Sequence, residues 1–89
     1  MGRMPEVSRF YGLVIKIFYD DHNPPHFHAE YGEYEVLVDI TTLAIMSGRL
    51  SARALGMVTE WASMHQQELR VAWERAKQLL PPGQIAPLP

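Results

Sequence analysis

The most constraining stretch of this sequence is the pair of alternating segments on either side of Gly32-Glu33. From His26 to Tyr31 the chain reads His, Phe, His, Ala, Glu, Tyr. A period of two puts His26, His28 and Glu30 on one face of a strand and Phe27, Ala29 and Tyr31 on the other. Gly32-Glu33 has the form of a two-residue hairpin loop with glycine at the first central position, leading into a second strand over Tyr34 to Ile40. If Tyr31 pairs with Tyr34, Ala29 faces Val36 and Phe27 faces Val38 on the apolar side. On the other side Glu30 faces Glu35, His28 faces Leu37 and His26 faces Asp39. A slip of one residue would turn each strand's apolar set to the wrong face, so the register is specified.

The flanking sequence extends this hairpin in both directions. Phe10 to Tyr19 (FYGLVIKIFY) is β-branched and aromatic and predicts a strand, ended by the turn formers of Asp20 to Pro25 (DDHNPP). Leu43 to Met46 predicts a short fourth strand before Ser47-Gly48. From Ser51, an N-cap residue, the period becomes helical: Leu55, Val58, Ala62, His65, Leu69, Ala72, Ala76 and Leu79 recur three and four apart, with Trp61 and Trp73 beside the stripe. Pro81-Pro82-Gly83 stops it. Unbroken, this helix would be about 43 Å long against about 23 Å for a seven-residue strand. Either it breaks near His65-Gln66-Gln67 and folds back, or the stripe of Leu69, Ala72, Trp73 and Ala76 packs on a second subunit. The expectation is an α+β fold: a four-stranded antiparallel β-meander packed on a long C-terminal helix or helix pair. Residues 1–9 form an N-terminal segment, 10–80 the single domain, and 81–89 a flexible Pro-rich tail.

At 89 residues with no cysteine, the chain can enclose one core, has no disulfide to reinforce it, and offers neither a thiolate metal site nor a thiol nucleophile. Nothing in it is apolar for long enough to span a membrane, and Met1 to Pro5 lacks the apolar region of a secretory signal, so cytoplasmic residence is expected. The net charge of −2 conceals a segregation. Met1 to Tyr19 carries Arg3, Arg9 and Lys16 against Glu6. Thr41 to Pro89 carries Arg49, Arg53, Arg70, Arg75 and Lys77 against Glu60, Glu68 and Glu74. Asp20 to Ile40 holds Asp20, Asp21, Glu30, Glu33, Glu35 and Asp39, with no Lys or Arg and three of the four histidines. Such a segment repels phosphate backbones and attracts cations, which argues against a nucleic-acid face there.

Within that segment His22, His26 and His28 form an HxxxHxH pattern followed by Glu30, and imidazole with carboxylate is the ligand set of Zn, Fe, Ni or Mn in sites without sulfur. The metal candidates are therefore His26 and His28 with Glu30 or Glu35, and His22 folding over from the loop. A solvated polar strand face accounts for the same residues equally well. The opposed Glu30 and Glu35 repel one another and need Lys16, a cation or a shared proton to offset them. His26 opposite Asp39 has the form of an oriented imidazole, a catalytic candidate as general base, although no nucleophile is placed beside it. His65, in the apolar helical stripe, is expected to be a core or interface histidine.

MPEVSRFYGLVIKIFYDDHNPPHFHAEYGEYEVLVDI and the later RALGMVTEWASMHQQELRVAWERA resemble the bacterial family known as domain of unknown function 4160, from Met4 to about Leu80, most specifically in DHNPPHFHAEYG. The usual Pro at the helix entrance is replaced here by Ser51. The resemblance implies a small cytoplasmic domain without an established activity, in some cases paired with a small protein of the family called domain of unknown function 2442 in a toxin-antitoxin-like system. The leading expectation is thus an interaction module of a two-protein system, homodimeric through its helix, with a His/carboxylate site on the open sheet face. The runner-up is a metal-dependent or His/Asp general-base hydrolase acting on RNA.

Overall fold

The computed structural model describes residues 5–89; Met1–Met4, part of the expected N-terminal segment, lie outside the described residues. Five strands form one antiparallel meander in the order β1-β2-β3-β4-β5: β1 (Glu6–Phe10), β2 (Leu13–Lys16), β3 (His26–Tyr31), β4 (Tyr34–Asp39) and β5 (Ile45–Gly48). Two helices follow, α1 (Ala52–Met64) and α2 (Gln66–Lys77). The β3–β4 register is the one the alternation specifies, from His26 opposite Asp39 to Tyr31 opposite Tyr34.

The extra strand, Glu6–Phe10, falls largely in the expected N-terminal segment, and a turn interrupts the run expected to be one strand from Phe10. Tyr11 and Gly12 both have positive φ, 49° and 86°, the backbone of a two-residue type I′ turn. Phe10 therefore pairs with Leu13, and the apolar run is a hairpin. A Cβ at Gly12 would also lie 2.9 Å from the Tyr31 ring, so a larger residue there must push that ring aside. The last strand lies at Ile45–Gly48 instead of Leu43–Met46, because Leu43 takes a positive φ of 64° and its N–H donates to Asp39 O, closing a turn.

The helical stripe breaks at His65 (φ −131°), and the two helices fold against the same sheet. Ser51 caps α1 by accepting from the Ala54 N–H at 3.1 Å. Leu69, Ala72, Trp73 and Ala76 are buried within the chain's own core, so the overhang that called for a second subunit is resolved internally. Trp61 is the core's centre, fully buried with its ring 5.4 Å from Phe10 and 5.8 Å from Phe27. The tail expected to be mobile is extended but docked. The Trp61 indole N–H donates to Ala86 O at 2.8 Å, the Ile85 N–H to Val7 O at 2.7 Å, and Ile85 is buried. An apolar residue and two hydrogen bonds offset the cost of ordering a Pro-rich segment. Among the described residues no helix is long and apolar enough to cross a membrane.

Candidate functional site

The start of β3 and the loop before it bring the chemistry together. On β3 the core face carries Phe27 and Ala29, both fully buried, and the opposite face carries His26 and His28. That second face is roofed at this end instead of open. The Phe18 ring stacks on His28 at 4.0 Å with an interplanar angle of 3°, and Trp73 of α2 stands 5.2 Å from His26. His26 and His28 are consequently only 5% and 8% exposed. The loop itself is pinned by α2: the Asp20 N–H donates to Ala76 O, and Lys77 Nζ donates to Asp21 O at 3.0 Å while lying 3.5 Å from the Asp20 carboxylate.

Pinned in this way, Asp21 faces both rings. Its Oδ2 lies 3.0 Å from His26 Nε2 and 3.3 Å from His28 Nε2. The three ligand atoms lie within 4.8 Å of one another. The remaining ring nitrogens are committed: His26 Nδ1 lies 2.8 Å from Pro24 O and His28 Nδ1 lies 3.0 Å from Glu35 Oε2. A carbonyl and a carboxylate only accept, so both Nδ1 atoms carry hydrogen and donate. That leaves both Nε2 atoms turned toward Asp21, either as lone pairs or, on an imidazolium, as donors.

The local charges count toward the same point. Lys16 pairs with Glu30 at 3.0 Å, which is the offset the opposed glutamates required, and Lys77 faces Asp20. Asp21 and Glu35 remain, two negative charges around two imidazoles, matched either by two imidazoliums or by one divalent cation. Burial pushes the Asp21 carboxyl up, but the His22 N–H, the hydrogen bond to His28 and the charges of His26 and His28 outweigh it and hold the group below its ordinary value. Metal–ligand bonds of about 2.0–2.2 Å place neighbouring ligands about 3.3 Å apart in a tetrahedron. The Asp21–His26 and Asp21–His28 spacings of 3.0 and 3.3 Å match that edge, and binding would draw the two imidazoles together from their present spread.

The expected site residues divide accordingly. His26 and His28 are brought together around Asp21 Oδ2. Glu35 stands behind His28 as its hydrogen-bond partner, Glu30 is occupied by Lys16, and His22, exposed, contributes its backbone N–H to Asp21 Oδ1 at 2.8 Å. Asp39 is opposite His26 in the backbone, but its Oδ1 accepts from the Thr41 and Thr42 N–H groups at 2.7 and 3.0 Å, so the imidazole is oriented by Pro24 and Asp21 instead. Asp21 and Lys77 are the residues sequence reasoning missed. His65 is a helix-break residue, its ring 5.5 Å from Trp61 and its Nδ1 hydrogen-bonded to Glu68.

These features define a small α+β domain, a five-stranded meander covered by a broken helix, with a His-Asp-His cluster, both imidazoles buried, where loop, sheet and second helix meet. The chain belongs to the family described as domain of unknown function (DUF4160), whose sequence profile matches residues 12–74. No curated protein and no solved structure matches it.

Proposed function

We propose that this domain is an interaction module whose β2–β3 loop is locked by a divalent cation held by His26, His28 and Asp21. One observation carries the reading: two imidazoles with committed Nδ1 atoms turn both Nε2 atoms onto one carboxylate oxygen, beside two otherwise uncompensated negative charges. Zn, Ni, Mn or Fe would suit the donor set. Acting in the cytoplasm as one member of a toxin-antitoxin-like pair, with a partner of the family called domain of unknown function 2442, is part of the same proposal and is supported by family resemblance. A metal-dependent hydrolase is the second reading, favoured by a three-ligand set that leaves coordination positions free, and disfavoured by the near-complete burial of both histidines.

The test is thermal stability of protein purified without a histidine tag. A cation at 100 times its Kd stabilises by about 2.7 kcal/mol, a rise of roughly 10 °C or more for a domain of this size. The rise should be absent in a His26→Ala/His28→Ala variant. Equal rises in both proteins would put the cation elsewhere. No rise in either would leave the cluster as a hydrogen-bond network without a metal.

A further inference from the structure

The two edges of the sheet are treated differently. β1 is covered by the chain's own tail, through Ile85 N–H to Val7 O and the Gln84 side chain to Glu6 O at 2.8 Å. β5 has a neighbour on one side only, and all four of its residues are exposed. Among the described residues no backbone hydrogen bond reaches Ile45–Gly48 except from β4. The strand reads Ile-Met-Ser-Gly, with Ile45 46% and Met46 40% exposed. It carries none of the charges or prolines by which bare edges are protected from pairing.

At the end of β5 the chain continues into a groove of about 420 Å³ between Tyr34, Arg49 and Leu50, and Tyr31 separates it from a second groove of about 310 Å³ that holds Tyr11 and Arg53. Tyr11, Tyr31 and Tyr34 are 60%, 42% and 54% exposed. Among the described residues no acidic residue lines either groove. Arg49 and Arg53 are in no ion pair among the described residues, although the chain as a whole carries a net charge of −2. Tyrosine and arginine are the residues that anchor protein interfaces.

We infer that the β5 edge and the Tyr31/Tyr34/Arg49 groove together form a docking surface for an extended acidic protein segment. Its backbone would add a sixth strand beside Ile45–Gly48, its carboxylates would pair with Arg49 and Arg53, and an apolar side chain would enter the groove beside Tyr34 and Leu50. Two arginines with tyrosines would also suit a single-stranded nucleic acid, but such a strand has no use for a bare peptide edge flanked by Ile45 and Met46. The groove lies at the Tyr31 end of β3 and the histidine cluster at its His26 end, and the β5 edge is two strands across the sheet from β3. The inference deepens the two-protein reading and rests on it for the partner's biological identity. Peptide binding tests the surface alone, and the cation experiment tests the other site.

The experiment is amide NMR of the full chain titrated with a ten-residue peptide alternating valine and glutamate, its valine–lysine counterpart, and a ten-nucleotide oligouridylate. The acidic peptide should shift the amides of Ile45–Gly48, Arg49 and Tyr34, and the lysine peptide should not. Arg49→Glu should weaken binding about tenfold or more, as should Ile45→Glu at the edge, with the rest of each variant's spectrum unchanged. Absence of shifts with the acidic peptide, equal shifts with the lysine peptide, or oligouridylate shifting Tyr11, Tyr31 and Tyr34 in its place would each overturn the inference.

Discussion

Replacing Gly48 or Gly32 by alanine imposes a similar conformational cost in two different surroundings. Both have positive φ, 81° and 61°. Holding alanine in that region costs about 1–2 kcal/mol, reduced by roughly 0.4–1 kcal/mol through the stiffer unfolded chain. At Gly32 a new Cβ meets nothing within 4 Å, so the total stays near 1 kcal/mol. At Gly48 it would sit 2.0 Å from Glu35 O and 3.1 Å from Val36 Cα, all backbone. Backbone cannot swing aside, so β5 must separate from β4, straining the Arg49 N–H to Glu35 O bond of 3.0 Å and the Val36–Gly48 pairing. Overpacking of about 1–3 kcal/mol and a lost hydrogen bond of about 1 kcal/mol bring the cost to roughly 3–5 kcal/mol. With an m-value of about 1 kcal/mol per M in urea, Gly32→Ala should lower the midpoint by about 1 M and Gly48→Ala by about 3 M or more. Midpoints that agree within about 0.5 M would refute the steric argument.

The docked tail makes Ile85→Ala costly, about 2 kcal/mol by urea denaturation, whereas a change under about 0.5 kcal/mol would restore a free tail. Because the Asp21 carboxyl is held below its ordinary value, its contribution is present above about pH 4 and is lost as pH falls through the native-state value. The melting-temperature gap between wild type and Asp21→Asn should therefore shrink below pH 4, and an unchanged gap at pH 3 would remove the linkage. Trp73→Leu takes away the ring beside His26 while keeping an apolar residue on α2, and it should lower cation-linked stabilisation as well as basal stability. A purely basal loss would show that Trp73 serves the core alone.

What the sequence revealed and what it hid follow from the range of the interactions. The β3–β4 register was legible in full because side-chain alternation is local and both faces of each strand are chemically distinct. The helical stripe was legible too, but only as a choice between a break and an overhang. The choice is made by His65 leaving helical φ and ψ, and by Gln66, whose side chain donates to Ile40 O at 2.8 Å. The β1–β2 turn was hidden because apolar residues continue on both sides of Tyr11-Gly12. The Tyr-Gly pair was its one local signal. Asp21 counted only as one acid among six, since its convergence on the histidines depends on Lys77, 56 residues away. Asp39 misled for the opposite reason: Cα pairing is written in the alternation, but a side chain's partner is not, and two turn amides lie closer.

The most direct measurement is the long-range proton–nitrogen NMR spectrum of the four imidazoles as zinc is added to tag-free protein. Hydrogen is expected on Nδ1 of His26 and His28, with a joint change of their two Nε2 resonances that saturates at one equivalent and with His22 and His65 unmoved. A zinc response confined to His22 or His65, or Nδ1 found without hydrogen in either buried ring, would contradict this expectation.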